Sequence, residues 1–105
     1  MAGFTVARGF SKLVAYSPGG IVSRQLEKGR GTDVSVFAFD AGQGLSSHAS
    51  AFPATILVLS GTALLSLGAK KVAAKAGDLV FMPKGLKHAV LAKTRMKMLL
   101  VLAKP

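Results

Sequence analysis

Hydrophobic residues recur along the chain in short runs, each closed by glycine, proline or a turn-forming polar residue. The clearest run is Ala54-Thr55-Ile56-Leu57-Val58-Leu59, which stops at Ser60-Gly61. It is rich in branched side chains and almost free of polar ones, the composition of a strand apolar on both faces. Pro53 in front and Gly61 behind leave no room for a helix. Such a strand has to be covered twice, once by its own domain and once by something else. Strand side chains alternate, so counting back from Val58 gives one inner set: Val58, Ile56, Ala54, Phe52, Ser50 and His48. His48 and Ser50 are therefore expected to open into the interior that Ile56 and Val58 fill, and a pocket is expected there. Thr55, Leu57 and Leu59 point the other way and need a second cover.

The rest of the chain reads in the same manner. Residues 12–16 and 20–26 read as strands joined by the turn Ser17-Pro18-Gly19-Gly20. Residues 33–40, rich in Val and Phe, form a strong strand, and residues 42–50 form a loop that carries His48. Beyond Gly61, strands are expected over residues 63–67, 71–75, 79–82, 88–91 and 96–102. This makes about ten short strands with turn signals between them, the pattern of an all-β sandwich or barrel. No window has the cap and apolar stripe of a helix. Tight turns between successive strands make the sheets mainly antiparallel.

Composition narrows the function. A chain of 105 residues is read as one domain, 1–105, and the half of it that is hydrophobic is enough for a core. Cysteine is absent, which removes disulfides, thiolate metal sites and cysteine nucleophiles together. That fits a reducing compartment, and a cytoplasmic location is expected. No apolar run reaches the ~20 residues of a membrane span. The stretch Met1 to Arg8 lacks a signal-peptide pattern, so no membrane partner is expected.

Fourteen Lys and Arg face four acids, Glu27, Asp33, Asp40 and Asp78, giving a net charge of +10. Such a field attracts anions. The bases are dispersed along the chain and the Phe residues sit in apolar runs, so a solvated basic surface is favoured over a nucleic-acid partner. Asp78 follows Gly77 in a turn and Asp40 closes a strand before Ala41-Gly42, which leaves few carboxylates for acid–base work. The segments 28–31 and 42–44 are glycine-rich, but no helix follows them to bind phosphate.

Two stretches resemble the paired motifs of the cupin family. The first motif is Gly, five residues, His, one residue, His, three or four residues, Glu, six residues, Gly. This chain has Gly42, His48, Ser50, Ala54 and Gly61 at those places. The second is Gly, five residues, Pro, one residue, Gly, two residues, His, three residues, Asn. Here it reads Gly77, Pro83, Gly85, His88 and Ala92. Together the motifs span residues 42 to 92 with matching spacing. The resemblance implies an antiparallel jelly-roll β-barrel of the small single-domain type, which usually pairs as a homodimer.

The resemblance also implies a metal held by the two His and the Glu of the first motif and the His of the second. Those places hold His48, Ser50, Ala54 and His88, so two of the four ligands are replaced. Two neutral imidazoles hold a divalent ion weakly, and residues 41 to 77 contain no acid to substitute. No resident cofactor is expected.

The site expectation is a ligand pocket lined by His48, Ser50, Ile56, Phe81 and His88, with the two His facing each other across the barrel mouth. It would take a small molecule, anionic in keeping with the positive field. Ser50 lacks an oriented base for nucleophilic work, so it lines the pocket or bonds the backbone. Phe37, Phe39, Phe52, Phe81 and Met82 are mostly core, with two of them expected at the cavity wall. The rival readings are a metal-dependent cupin enzyme (dioxygenase, isomerase or lyase) and a structural or regulatory dimeric domain.

Overall fold

The computed structural model describes residues 3–29 and 31–104. Nine strands follow the glycine and proline punctuation: β1 (Ile21–Lys28), β2 (Thr32–Phe39), β3 (Gly44–Ala49), β4 (Ala54–Ser60), β5 (Thr62–Leu67), β6 (Lys70–Lys75), β7 (Leu79–Met82), β8 (Lys87–Ala92) and β9 (Met96–Ala103). They form a five-stranded sheet, β1-β2-β9-β4-β7, and a four-stranded sheet, β3-β8-β5-β6. Every recorded pairing is antiparallel. Consecutive strands pair in the hairpins β1–β2 and β5–β6, while β9 returns to lie between β2 and β4. The all-β jelly-roll expectation holds.

The central strand behaves as its pattern requires. Ala54, Ile56 and Val58 are buried, and they pack in the main core with Phe39, Leu65, Met82, Met96 and Met98. Burying one such side chain stabilises the fold by about 1.5–3 kcal/mol. The opposite set, Thr55, Leu57 and Leu59, is half-buried.

Two local expectations change. Residues 42–50 are not simply a loop, because Gly44–Ala49 is the edge strand β3, bulged between Leu45 and His48. An edge strand with a wet face needs no apolar run, so its polar sequence gave no strand signal. Residues 12–16 are not a strand. A 3-10 turn at Phe10–Leu13 leads into an extended segment that packs by side chains. Val14 is buried against Val36 and Ala38. The Tyr16 hydroxyl lies 3.0 Å from the Ser60 hydroxyl, and Arg95 and Lys97 both stand over the Tyr16 ring. This segment supplies part of the second cover, because Leu59 and Leu99 pack in the same small cluster. The β7 side is left open by the described residues: Leu79 and Phe81 are 65% and 63% exposed.

Asp40 closes β2 as expected. Its Oδ2 accepts the Gly19 N–H at 2.7 Å, and its Oδ1 accepts the Ala41 N–H at 2.9 Å and the Arg95 Nε–H at 3.1 Å. The Gly19 amide first, then Arg95 and Ala41, hold this carboxyl below the ordinary carboxylate range. Asp33 is lowered too, chiefly by its bond to Lys104. A depressed folded-state pKa gives stability that is present above the unfolded-state value and lost as pH falls through the folded one. The thermal midpoint should therefore fall between about pH 5 and about pH 2. Asp40→Asn should flatten part of that fall, and superimposable pH profiles would show that Asp40 contributes nothing.

Candidate functional site

The backbone sets the site before any side chain is considered. Gly85, in the turn between β7 and β8, has φ 82°, a conformation that glycine adopts without penalty. Its N–H donates to the Ser50 carbonyl at 2.8 Å, tying that turn to the end of β3. The turn delivers His88 into β8, where its register partner is His48 of β3. The imidazoles are thus neighbours on adjacent strands of one sheet, and they do not face each other across the mouth. Their ring centroids are 4.3 Å apart at an interplanar angle of 59°. His88 is 6% exposed, in line with the inward Val90 and Ala92, while His48 is exposed at the rim.

Both rings are held in the same way. His48 Nδ1 lies 2.8 Å from the Ser46 carbonyl and His88 Nδ1 lies 2.9 Å from the Leu86 carbonyl, each two residues back. A carbonyl only accepts, so in each neutral ring Nδ1 carries the proton and Nε2 keeps its lone pair. Each Nε2 is therefore left able to accept from a ligand O–H or N–H, on rings whose centroids are 4.3 Å apart. On protonation they become donors.

The other expected site residues separate. Ile56 is 2% exposed and belongs to the core beneath the mouth. Ser50 is half-buried, and its hydroxyl accepts the Phe52 N–H at 3.0 Å, so it bonds the backbone. Phe81 corrects the expectation. It pairs with Thr55, so it shares the outer face of the five-stranded sheet, while Val80 and Met82 alternate inward. Phe81 cannot line the interior with Ile56. Of the five aromatic and Met candidates, Phe39 and Met82 are core, Phe37 packs against that core, and Phe52 borders a hollow.

The hollows lie elsewhere. One of about 530 Å³ is lined by Ala51, Phe52, Pro53, Lys84, Ala103 and Lys104. Another of about 390 Å³ lies over β5 and β6, and a third of about 280 Å³ lies under the N-terminal segment. None of these three is lined by either imidazole. The barrel interior beneath the imidazoles is packed with the side chains of the main core.

Lys104 pairs with Asp33 and stands over the Phe52 ring. Asp33 is 8% exposed, and its Oδ1 has no hydrogen-bond partner among the described residues. Composition and motif spacing do not point to this buried acid; its position one residue inside a strand, at odds with the apolar pattern, is the signal that could have found it.

These features define a small antiparallel jelly roll with a histidine on each of two neighbouring strands. The model of the cupin domain matches residues 35–102, and the chain belongs to the cupin family. It is similar to the structure of a conserved protein of unknown function from Streptococcus pyogenes, with 28% identity, a TM-score of 0.89, and coverage of 99% of this chain and 91% of that one. It is also similar to a cupin 2 conserved barrel domain protein from Leptotrichia buccalis. That match has 32% identity and a TM-score of 0.84, and covers 89% of this chain and 45% of the other. A cupin superfamily protein from Desulfitobacterium hafniense shares the fold at 23% identity, with a TM-score of 0.87 and coverage of 90% and 87%. No curated protein matches.

Many cupins carry a metal, so the donor set has to be compared with one. Among the described residues no group of three or more His, Cys, Asp and Glu gathers. The second and third ligand places of the first motif hold Ser50, committed to the backbone, and Ala54, an aliphatic core residue. A transition-metal site needs three or four protein donors, or three and a water. These residues do not fit the usual cupin centre.

Proposed function

We propose that this cupin binds a small organic acid at its imidazole pair, without the resident metal common in the family. The observation that carries the reading is the tethering of both Nδ1 atoms to carbonyls on neighbouring rings, which leaves each Nε2 for a ligand. An acid fits them in either state. A protonated acid donates to a neutral Nε2, and a carboxylate accepts from a protonated one. Lys87 on the same strand as His88 and Lys84 in the preceding turn add positive field near the mouth. The packed interior favours a second reading, a structural or regulatory domain with no ligand.

Ring-nitrogen NMR of both His during titration with malonate, succinate, citrate and phosphate separates the two. The expected result is that a carboxylate shifts both Nε2 signals. It should lose at least about tenfold in affinity in His48→Ala. If no probe moves either ring at millimolar concentration, the domain is structural.

We further propose that the chain forms a homodimer through the outer face of the five-stranded sheet. Leu79 and Phe81 stand exposed there beside half-buried Thr55, Leu57 and Val101, and a second copy covers such a patch symmetrically. Leu79→Asp with Phe81→Asp should convert a dimer into a folded monomer in sedimentation. A wild-type chain that sediments as a monomer at high concentration refutes the proposal.

A further inference from the structure

The antiparallel registers gather lysines that are far apart in sequence. Along β8, His88, Val90 and Ala92 are buried, so Lys87, Leu91 and the following Lys93 point outward. Along β6, Ala74 is buried and Lys71 and Lys75 point outward, with Leu64 of β5 between the two strands. Lys75 and Lys93 line one hollow, whose other walls include Leu64 and Ala73. Strands β6 and β8 are two ladder spacings apart, about 10 Å, and Lys71 and Lys75 are about 13 Å apart along β6. No strand of this sheet contains an acid. Asp78, from the turn after β6, also lines that hollow, and its Oδ2 accepts the Lys75 N–H at 2.9 Å, so two lysines there outnumber one acid.

We propose that this face docks an acidic segment of another protein, one with aliphatic residues among its carboxylates. Leu64 and Leu91, the latter 39% exposed, sit inside a frame of four lysines. An apolar centre within a charged rim is the anatomy of a protein interface. A second copy is rejected, since lysines would meet lysines. A nucleic acid is disfavoured, because the face offers no aromatic ring for stacking and no arginine for bidentate base contacts. The free edge of β6 favours an extended peptide over a flat anionic surface. That strand has a partner on one side only, and its lysines repel copies of itself while matching an acidic strand.

Fluorescence anisotropy in about 150 mM salt tests the proposal, using a labelled ten-residue peptide alternating glutamate with valine and leucine. The comparison probes are the same peptide with serine at each aliphatic position, and a 20-base-pair DNA duplex. The aliphatic peptide should bind at least about tenfold tighter than the serine peptide. Lys75→Ala with Lys93→Ala should lose about tenfold, while Lys12→Ala with Arg24→Ala, an equal charge change elsewhere, should change little. Unchanged thermal midpoints show that both variants fold. Equal binding of the two peptides, tighter binding of DNA, or no binding of any probe each overturns the proposal.

Discussion

Gly61→Ala is expected to lower the thermal midpoint by about 15 °C or more, the largest fall for any single methyl added to this chain. Two costs combine at that position. Gly61 has φ 78°, where an L side chain is strained by about 1–2 kcal/mol. An added Cβ would also stand 1.9 Å from the Arg95 carbonyl oxygen. That oxygen belongs to backbone, so it cannot swing aside like the end of a side chain. Moving it disturbs the entry to β9, next to the bulge that shifts the β4–β9 register between Val58 and Ser60. A total cost of about 3 kcal/mol or more follows. Gly42 is the internal control. Its φ is 85°, but no described atom lies within 4 Å of an added Cβ, so Gly42→Ala should cost only about 1–2 kcal/mol. Chemical denaturation of both variants checks the pair. Equal losses would mean that the close approach to Arg95 is not what the first motif's last glycine is for.

Ala54→Glu should destabilise the protein by about 3–5 kcal/mol, the usual cost of a buried charge left without a partner. Ala54 is 2% exposed and points into the core beside Ile56 and Met82. The carboxylate would stand where the family's first motif has its Glu, with His48 and His88 as the only imidazoles in the chain. Adding Ser50→His restores the motif's full donor set. The double variant should be unstable alone and regain a large part of the loss on addition of excess Zn²⁺ or Ni²⁺, since an ion that binds only the folded state stabilises it by mass action. Thermal melts with and without metal read this directly. A double variant that gains no stability from metal would show that the frame has lost the geometry of the site along with its ligands.

The strands that were legible in the sequence are those with a buried side. Residues 54–60 alternate so regularly that the inward Ala54, Ile56 and Val58 follow from strand parity alone. β7 has the expected limits, Leu79–Met82, because Asp78 and Pro83 bracket it. β3 was not legible, because an edge strand of Ser, His and Gly has no apolar signature and is held by backbone pairing to β8. Residues 12–16 behave in the opposite sense: this short apolar run is docked by Val14 and Tyr16 without joining a ladder.

The site was half legible. Motif spacing put His48 and His88 at the same end of the barrel, but only the register makes them adjacent. Phe81 reads in the sequence as one of the aromatic and Met residues that could wall a pocket. One step of strand parity sends it to the other face, and no composition argument detects that step. The dispersed lysines show the same effect on a larger scale. Lys75 and Lys93 are eighteen positions apart in the sequence and share one hollow in the fold.

If the two tethered imidazoles lack a third protein donor, they hold no resident ion. The most direct measurement is the metal content of the protein as purified and after dialysis, for the native chain and His48→Ala. Less than about 0.1 ion per chain is expected in every sample. One tightly held ion per native chain, lost in His48→Ala, would contradict it.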